Sequence, residues 1–197
     1  MAKCLGITGG IGAGKTTVSK IFQTLDVPVF DADAEAKACY KDPEVIEEIS
    51  STFGHDIFIN GLLQSKVLAS KVFAFKDQLQ KLESIIHPKV HDRWTQFAET
   101  HSLQPYVIRE NAILIPSNGH LTCDTVLLIT APLEDRINRV MGRSKITREA
   151  ILERISHQWP DERMLPFCQF VIENKQVPSA LDALIPQVMI IDAFMKK

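Results

Sequence analysis

The chain has 197 residues, 45% of them apolar and 23% charged, a composition that supports a packed core and excludes disorder as the main state. Its length fits one compact domain with one or two insertions rather than a repeat array. Lys and Arg number 22 against 24 Asp and Glu, so the formal charge is −2 and no global basic field draws the chain to nucleic acid or anionic lipid. Any anion site must be local.

The first residues lack the charged start, apolar run and cleavage site of a secretory signal, and no stretch reaches the roughly 20 apolar residues of a membrane span. Cys4, Cys39, Cys123 and Cys168 stand far apart, without metal-site or disulfide-scaffold spacing. A cytoplasmic protein with no membrane partner is expected. No heptad or repeated interface pattern stands out, so the sequence does not set the oligomeric state, with a monomer favoured.

Cys4-Leu5-Gly6-Ile7-Thr8 reads as a first strand and runs into Gly9-Gly10-Ile11-Gly12-Ala13-Gly14-Lys15-Thr16, which matches G-x-x-x-x-G-K-[ST] in full. A helical pattern over residues 17–25 follows at once. Glycines let the backbone curl so that successive amides face phosphate oxygens, and the helix start adds partial positive charge. The span from Gly10 to Thr17 is the expected nucleotide cradle, with Lys15 on the β and γ phosphates and the Thr16 hydroxyl on Mg²⁺. A glycine turn without a ligand is the plainer alternative.

Val27-Pro28-Val29-Phe30 reads as a second strand, ending in Asp31-Ala32-Asp33. Asp33 is placed to take a hydroxyl proton from an acceptor, and Asp31 to face the Mg²⁺ shell; both also suit capping of a helix over residues 34–39. Asp42-Pro43 marks a helix start and Gly54 its stop. Residues 34–104 exceed what a crossover needs and read as an inserted helical subdomain over the sheet's carboxyl edge, with one turn signal at Asn60-Gly61. His87 and His91 lack a third ligand for zinc, so His87-Pro88 reads as a substrate contact or a helix start.

Tyr106-Val107-Ile108, Thr125-Val126-Leu127-Leu128-Ile129 and Phe170-Val171-Ile172 supply three more buried strands, giving an α/β fold with a five-stranded parallel sheet. Glu110 and Asn111 follow the third strand. After the fourth, a helix begins around Pro132 and ends near Gly142, carrying Arg136, Arg139 and Arg143 along one side. Thr147 caps the next helix, whose pattern extends to Trp159-Pro160. Residues 132–160 thus form an arginine-bearing helical hairpin, expected to close as a lid over ATP. A solvated face paired with Glu134, Asp135, Glu149 and Glu153 is the alternative, and Lys145, Arg148 and Arg154 add charge there. Asn174-Lys175-Gln176-Val177 has valine where a guanine-reading aspartate would stand, so guanine selection is unsupported.

Together Ile7 to Thr16, Asp31-Ala32-Asp33, Ile86-His87-Pro88, Thr147-Arg148-Glu149, Arg154-Ile155-Ser156-His157-Gln158 and Val171-Ile172-Glu173-Asn174 resemble the dephospho-coenzyme A kinase family over nearly the whole chain. The resemblance implies a P-loop kinase core (residues 1–33, 105–131 and 165–197), the helical acceptor insertion and the lid. It implies transfer of the ATP γ-phosphoryl group to the ribose 3′-hydroxyl of dephospho-CoA. Asp33 matches the catalytic aspartate, Arg143 the lid arginine near the ATP phosphates, Asn174 the adenine side and His87 the acceptor site. Two positions depart from the family pattern. Pro116 stands where a glutamate follows the third strand and Gln169 where an aspartate precedes the last, leaving Glu110 and Asn111 to supply polar contacts or merely to cap the loop. Another P-loop nucleoside or nucleotide kinase, and an ATP-responsive binding protein without transfer, are the competing functions.

Overall fold

The computed structural model describes residues 2–72, 75–144, 146–175 and 180–197. The strands are β1 (Lys3–Thr8), β2 (Val29–Asp31), β3 (Phe58–Ile59), β4 (Leu62–Leu63), β5 (Tyr106–Glu110), β6 (Thr125–Thr130) and β7 (Phe170–Glu173). The helices are α1 (Lys15–Gln23), α2 (Ala32–Cys39), α3 (Pro43–Phe53), α4 (Ser65–Val72), α5 (Lys76–Thr100), α6 (Leu133–Arg143), α7 (Arg148–Ser156), α8 (Asp161–Met164) and α9 (Ala180–Met195). Contacts divide the chain into two compact units, Met1–Asp31 with Thr100–Lys197, and Ala32–Glu99. Among the described residues no helix is long and apolar enough to cross a membrane.

In the first unit, five strands form a parallel sheet in the order β2-β5-β1-β6-β7. Alternate residues explain its buried faces. Leu5 and Ile7 of β1, Tyr106 and Ile108 of β5, and Leu127 and Ile129 of β6 share one face with Val18, Ile21 and Phe22 of α1 and Leu184, Val188 and Ile191 of α9. On the other face Leu128 packs with Ile115 and Met164. The Tyr106 hydroxyl and the Asp192 carboxylate lie 2.8 Å apart, tying the central sheet to α9. After β1 the chain leaves for the edge strand β2, whereas after β5 it crosses to β6 on the far side of β1. The two connections diverge and open a crevice at the carboxyl end of β1.

Within the second unit, α3 starts as its sequence dictates: Asp42 accepts from the Glu44 amide at 3.1 Å, Pro43 holds the first helical position, and Gly54 ends the helix with φ +108°. Asn60 and Gly61 both take positive φ, joining β3 and β4 as a hairpin too short to show in the hydrophobic pattern. The expected helix start at His87-Pro88 is overturned, because both residues lie inside the 25-residue α5. Leu82, Ile85, Ile86, Val90 and Trp94 form a buried stripe on both sides of Pro88, which is itself exposed. Burial of that stripe outweighs the hydrogen bond that proline removes.

Several other boundaries shift. α1 begins at Lys15 rather than at Thr17, α2 at Ala32 rather than Ala34, and α7 stops at Ser156 before Trp159-Pro160. α6 passes through Gly142 to Arg143, because Gly142 keeps a negative φ and so does not end the helix as a left-handed cap. Cys4 of the central strand β1 and Cys123, just before β6, are distant in sequence but are free thiols with sulfurs 3.5 Å apart. Lys145, Gln176 and Val177 lie outside the described residues.

Candidate active site

Gly9 to Thr16 occupy the carboxyl end of β1, the central strand. Gly12 and Gly14 have φ of +78° and +103°, a region that side chains rarely enter, which curls the loop and leads it into α1 with Gly14 as N-cap. The amide of Ala13 donates to Gly10 O at 3.1 Å and that of Thr17 to Gly14 O at 3.0 Å. The α1 dipole favours an anion at this end.

Cationic and amide side chains hold the loop's carbonyls. Lys15 Nζ donates to Gly9 O at 2.9 Å, and Arg136 Nε to Ile11 O at 2.9 Å. Arg139 reaches Gly12 O at 3.3 Å and Ala13 O at 3.4 Å, while Asn174 Nδ2 donates to Ala13 O at 2.9 Å. Asn174 is buried and is locked in turn by Arg139 Nη2, which donates to its backbone oxygen at 2.8 Å. A loop whose carbonyls face cations keeps its amide dipoles available to phosphate. Arg136 and Arg139 are therefore not a solvated face, although Arg148 does pair with Glu134, at 2.6 and 2.8 Å. Arg143 sits exposed in the last turn of α6 and forms no side-chain hydrogen bond with the described residues.

Strand register builds the acidic side of the site. Asp31 of β2 and Ile7 of β1 both pair with Glu110, which is the last residue of β5 rather than a residue beyond it. Glu110 is 5% exposed, and its Oε1 lies 3.2 Å from the Thr16 hydroxyl. Burial pushes the Glu110 carboxyl above its ordinary range and the Asp31 charge adds to this, while Lys15 and the Thr16 hydroxyl oppose it. Asn111 closes the turn that follows: its amide donates to Ile7 O at 3.0 Å and its Oδ1 accepts from the Ile113 amide at 2.8 Å.

The raised Glu110 pKa has a definite sign. The folded state binds more protons than the unfolded chain between the ordinary glutamate range and the raised value, so stability falls as pH rises through that window, and the loss persists above it. Glu110→Gln keeps an oxygen for Thr16 and removes the buried charge. Thermal melts of the nucleotide-free, metal-free variant should give a higher Tm than wild type at neutral pH and a flatter pH profile through the window. A lower Tm at neutral pH contradicts this account.

Residues 3–179 match the family model described as dephospho-CoA kinase. The chain belongs to that family. A Bacteroides fragilis protein named dephospho-CoA kinase is 34% identical over 196 residues, covering 99% of this chain and 94% of the relative. One from Fusobacterium nucleatum is 37% identical over 171 residues, covering 86% and 88%. The crystal structure of TT1252 from Thermus thermophilus superposes with a TM-score of 0.84 at 32% identity, covering 96% of this chain and 97% of that one.

The two departures from the dephospho-CoA kinase pattern have structural settings. Gln169 anchors the start of β7: its Oε1 accepts from the Val126 amide at 2.8 Å, and its own amide donates to Val126 O at 3.0 Å. Pro116 lines a cleft of about 120 Å³ together with Gly10, Ala112, Ile113, Trp159 and Met164. Of the remaining candidates, Asp33 is exposed in the first turn of α2 and His87 is exposed on α5, both in the second unit. Gly10 to Thr17, Glu110, Asn111, Arg143 and Asn174 all belong to the first unit. Sequence reading assigned no contact to Gln158, yet its Oε1 accepts from the Ile11 amide at 2.8 Å. Only its place in the family motif singled it out.

Proposed function

We propose that this chain transfers the γ-phosphoryl group of ATP to the 3′-hydroxyl of the ribose in dephospho-CoA, giving CoA and ADP. The observation that carries this reading is a phosphate loop with cation-held carbonyls at the carboxyl end of the central strand, in a chain matched to the family from residue 3 to 179. The acceptor hydroxyl gives its proton to Asp33 as its oxygen bonds to the γ phosphorus and the bridging oxygen leaves with ADP. The loop amides and Lys15 hold the phosphates. Arg143 is assigned to the ATP phosphates because it is exposed at the end of α6, whereas Arg136 and Arg139 are occupied by loop carbonyls. Asn174 borders the adenine side, and His87, with residues 34–104, serves the acceptor.

The Thr16 hydroxyl, with the neighbouring Glu110 and Asp31 carboxylates, is a hard-oxygen donor set that suits Mg²⁺. When bound, that ion would offset phosphate charge. Four free cysteines support a reducing compartment such as the cytoplasm.

The test is ADP release with ATP, Mg²⁺ and dephospho-CoA, followed by mass measurement of the product. One added phosphoryl group on the ribose 3′ oxygen is expected. Turnover only with a different alcohol points to another small-molecule kinase, and an ATP-shifted melt without ADP points to a binding protein.

A further inference from the structure

The phosphate loop is held at one residue by three independent contacts from the segment that follows β6. Ile11 donates its amide to Gln158 Oε1 at 2.8 Å and accepts Arg136 Nε on its carbonyl at 2.9 Å. Its side chain packs against the buried cluster of Ile137, Val140 and Ile151, which joins α6 to α7. Gln158 is itself fixed: it follows the C-cap of α7, and its backbone amide donates to Ile155 O at 3.0 Å. Arg136 is 9% exposed, and its guanidinium lies where a Cβ on Gly10 would stand. Gly10 has no positive φ, so the glycine there makes room for Arg136 rather than relieving backbone strain.

We propose that Gln158 is a positioning residue which, with Arg136, sets the direction of the phosphate-loop amides by gripping both polar groups of Ile11. Each peptide plane fixes its neighbour, so an Ile11 held at its amide, carbonyl and side chain dictates how the loop enters the left-handed turn at Gly12. Without Gln158 the Ile11 amide lies half-buried against an apolar cluster with no acceptor. The loop then gains by rotating that group toward water, which spoils its aim. Gln158 touches no reacting atom in this scheme; it acts through Ile11. The inference deepens the kinase reading and rests on it for the identity of the ligand.

Gln158→Met keeps length and removes the acceptor, while Gln158→Glu keeps an acceptor. Two measurements read the effect: hydrogen exchange of the Ile11 amide by NMR on the nucleotide-free protein, and calorimetric titration with ATP in the absence of any acceptor substrate. In Gln158→Met the Ile11 amide should exchange about tenfold faster and ATP Kd should rise about tenfold, the scale of one lost hydrogen bond. The KM for dephospho-CoA should not move. Gln158→Glu should restore slow exchange at Ile11. Arg136→Gln, which removes the grip on the Ile11 carbonyl, should also raise ATP Kd, and it carries the test if Gln158→Met fails to fold. Wild-type exchange at Ile11 in folded Gln158→Met, or wild-type ATP affinity in folded Gln158→Met or Arg136→Gln, overturns the proposal. Failure of the wild-type protein to turn over dephospho-CoA would count against the kinase reading alone, because the exchange measurement needs no substrate.

Discussion

Asparagine at position 33 should lower turnover by about 10²- to 10⁴-fold and leave ATP affinity unchanged, the range expected when a positioned proton acceptor is removed. The amide has the size of the carboxylate but cannot take the hydroxyl proton. Stability should change little, since Asp33 is exposed in the first turn of α2, where the favourable interaction of its charge with the helix dipole is worth about 0.3–1 kcal/mol. Single-turnover kinetics, ATP titration and a thermal melt separate these three quantities. Wild-type turnover in Asp33→Asn removes this residue from the mechanism.

Gly12→Ala should abolish measurable ATP binding and destabilise the protein by about 1–3 kcal/mol. Gly12 has φ +78°, and a Cβ there would lie 2.5 Å from the backbone oxygen of Arg136. Backbone cannot swing aside as a side-chain tip can, so the loop and α6 must separate, breaking the Arg136 bond to Ile11 O and the Arg139 bonds to Gly12 O and Ala13 O. Gly10→Ala is the informative contrast, since the three atoms nearest its added methyl all belong to the Arg136 guanidinium, a side-chain tip rather than backbone. Calorimetric ATP titration and chemical denaturation of both variants measure the difference. Retained ATP binding in Gly12→Ala refutes this view of the loop.

What was legible in the sequence was local. The phosphate loop occupies consecutive residues, and its glycines, lysine and threonine state their own conformational and chemical demands. The central strands announced themselves because both faces are buried and their runs are nearly all apolar, as in Val126 to Ile129, whereas the edge strand β7 exposes Val171. Asp42 and Thr147 were readable as caps for the same reason: each accepts from an amide two or three residues ahead. The β3–β4 hairpin has two residues per strand, too few for any period to register. α5 was obscured by Pro88, and α9 by Pro186 and an almost uniformly apolar pattern.

Contacts that join distant segments left no local trace. Thr16 meets Glu110 across 94 positions, Ile11 meets Gln158 across 147, and Cys4 meets Cys123 across 119. The arginine spacing on α6 indicated one helix side, but whether that side met solvent or loop carbonyls depended on how α6 docks beside β1. Gln169 illustrates the same limit, because what looks like a lost acid in the chain serves as a partner for Val126 in the sheet.

The row formed by Ile7, Glu110 and Asp31 has a consequence for how the protein matures. These residues come from three strands, and the whole of α2 to α5 must be looped out before β5 can slide between β1 and β2. A nascent or partly denatured chain owning an intact glycine motif but no inserted β5 has neither the buried Glu110 beside Thr16 nor the Asn111 closure on Ile7. Nucleotide protection against proteolysis should consequently arise in one late step, making triphosphate affinity a reporter of completed assembly.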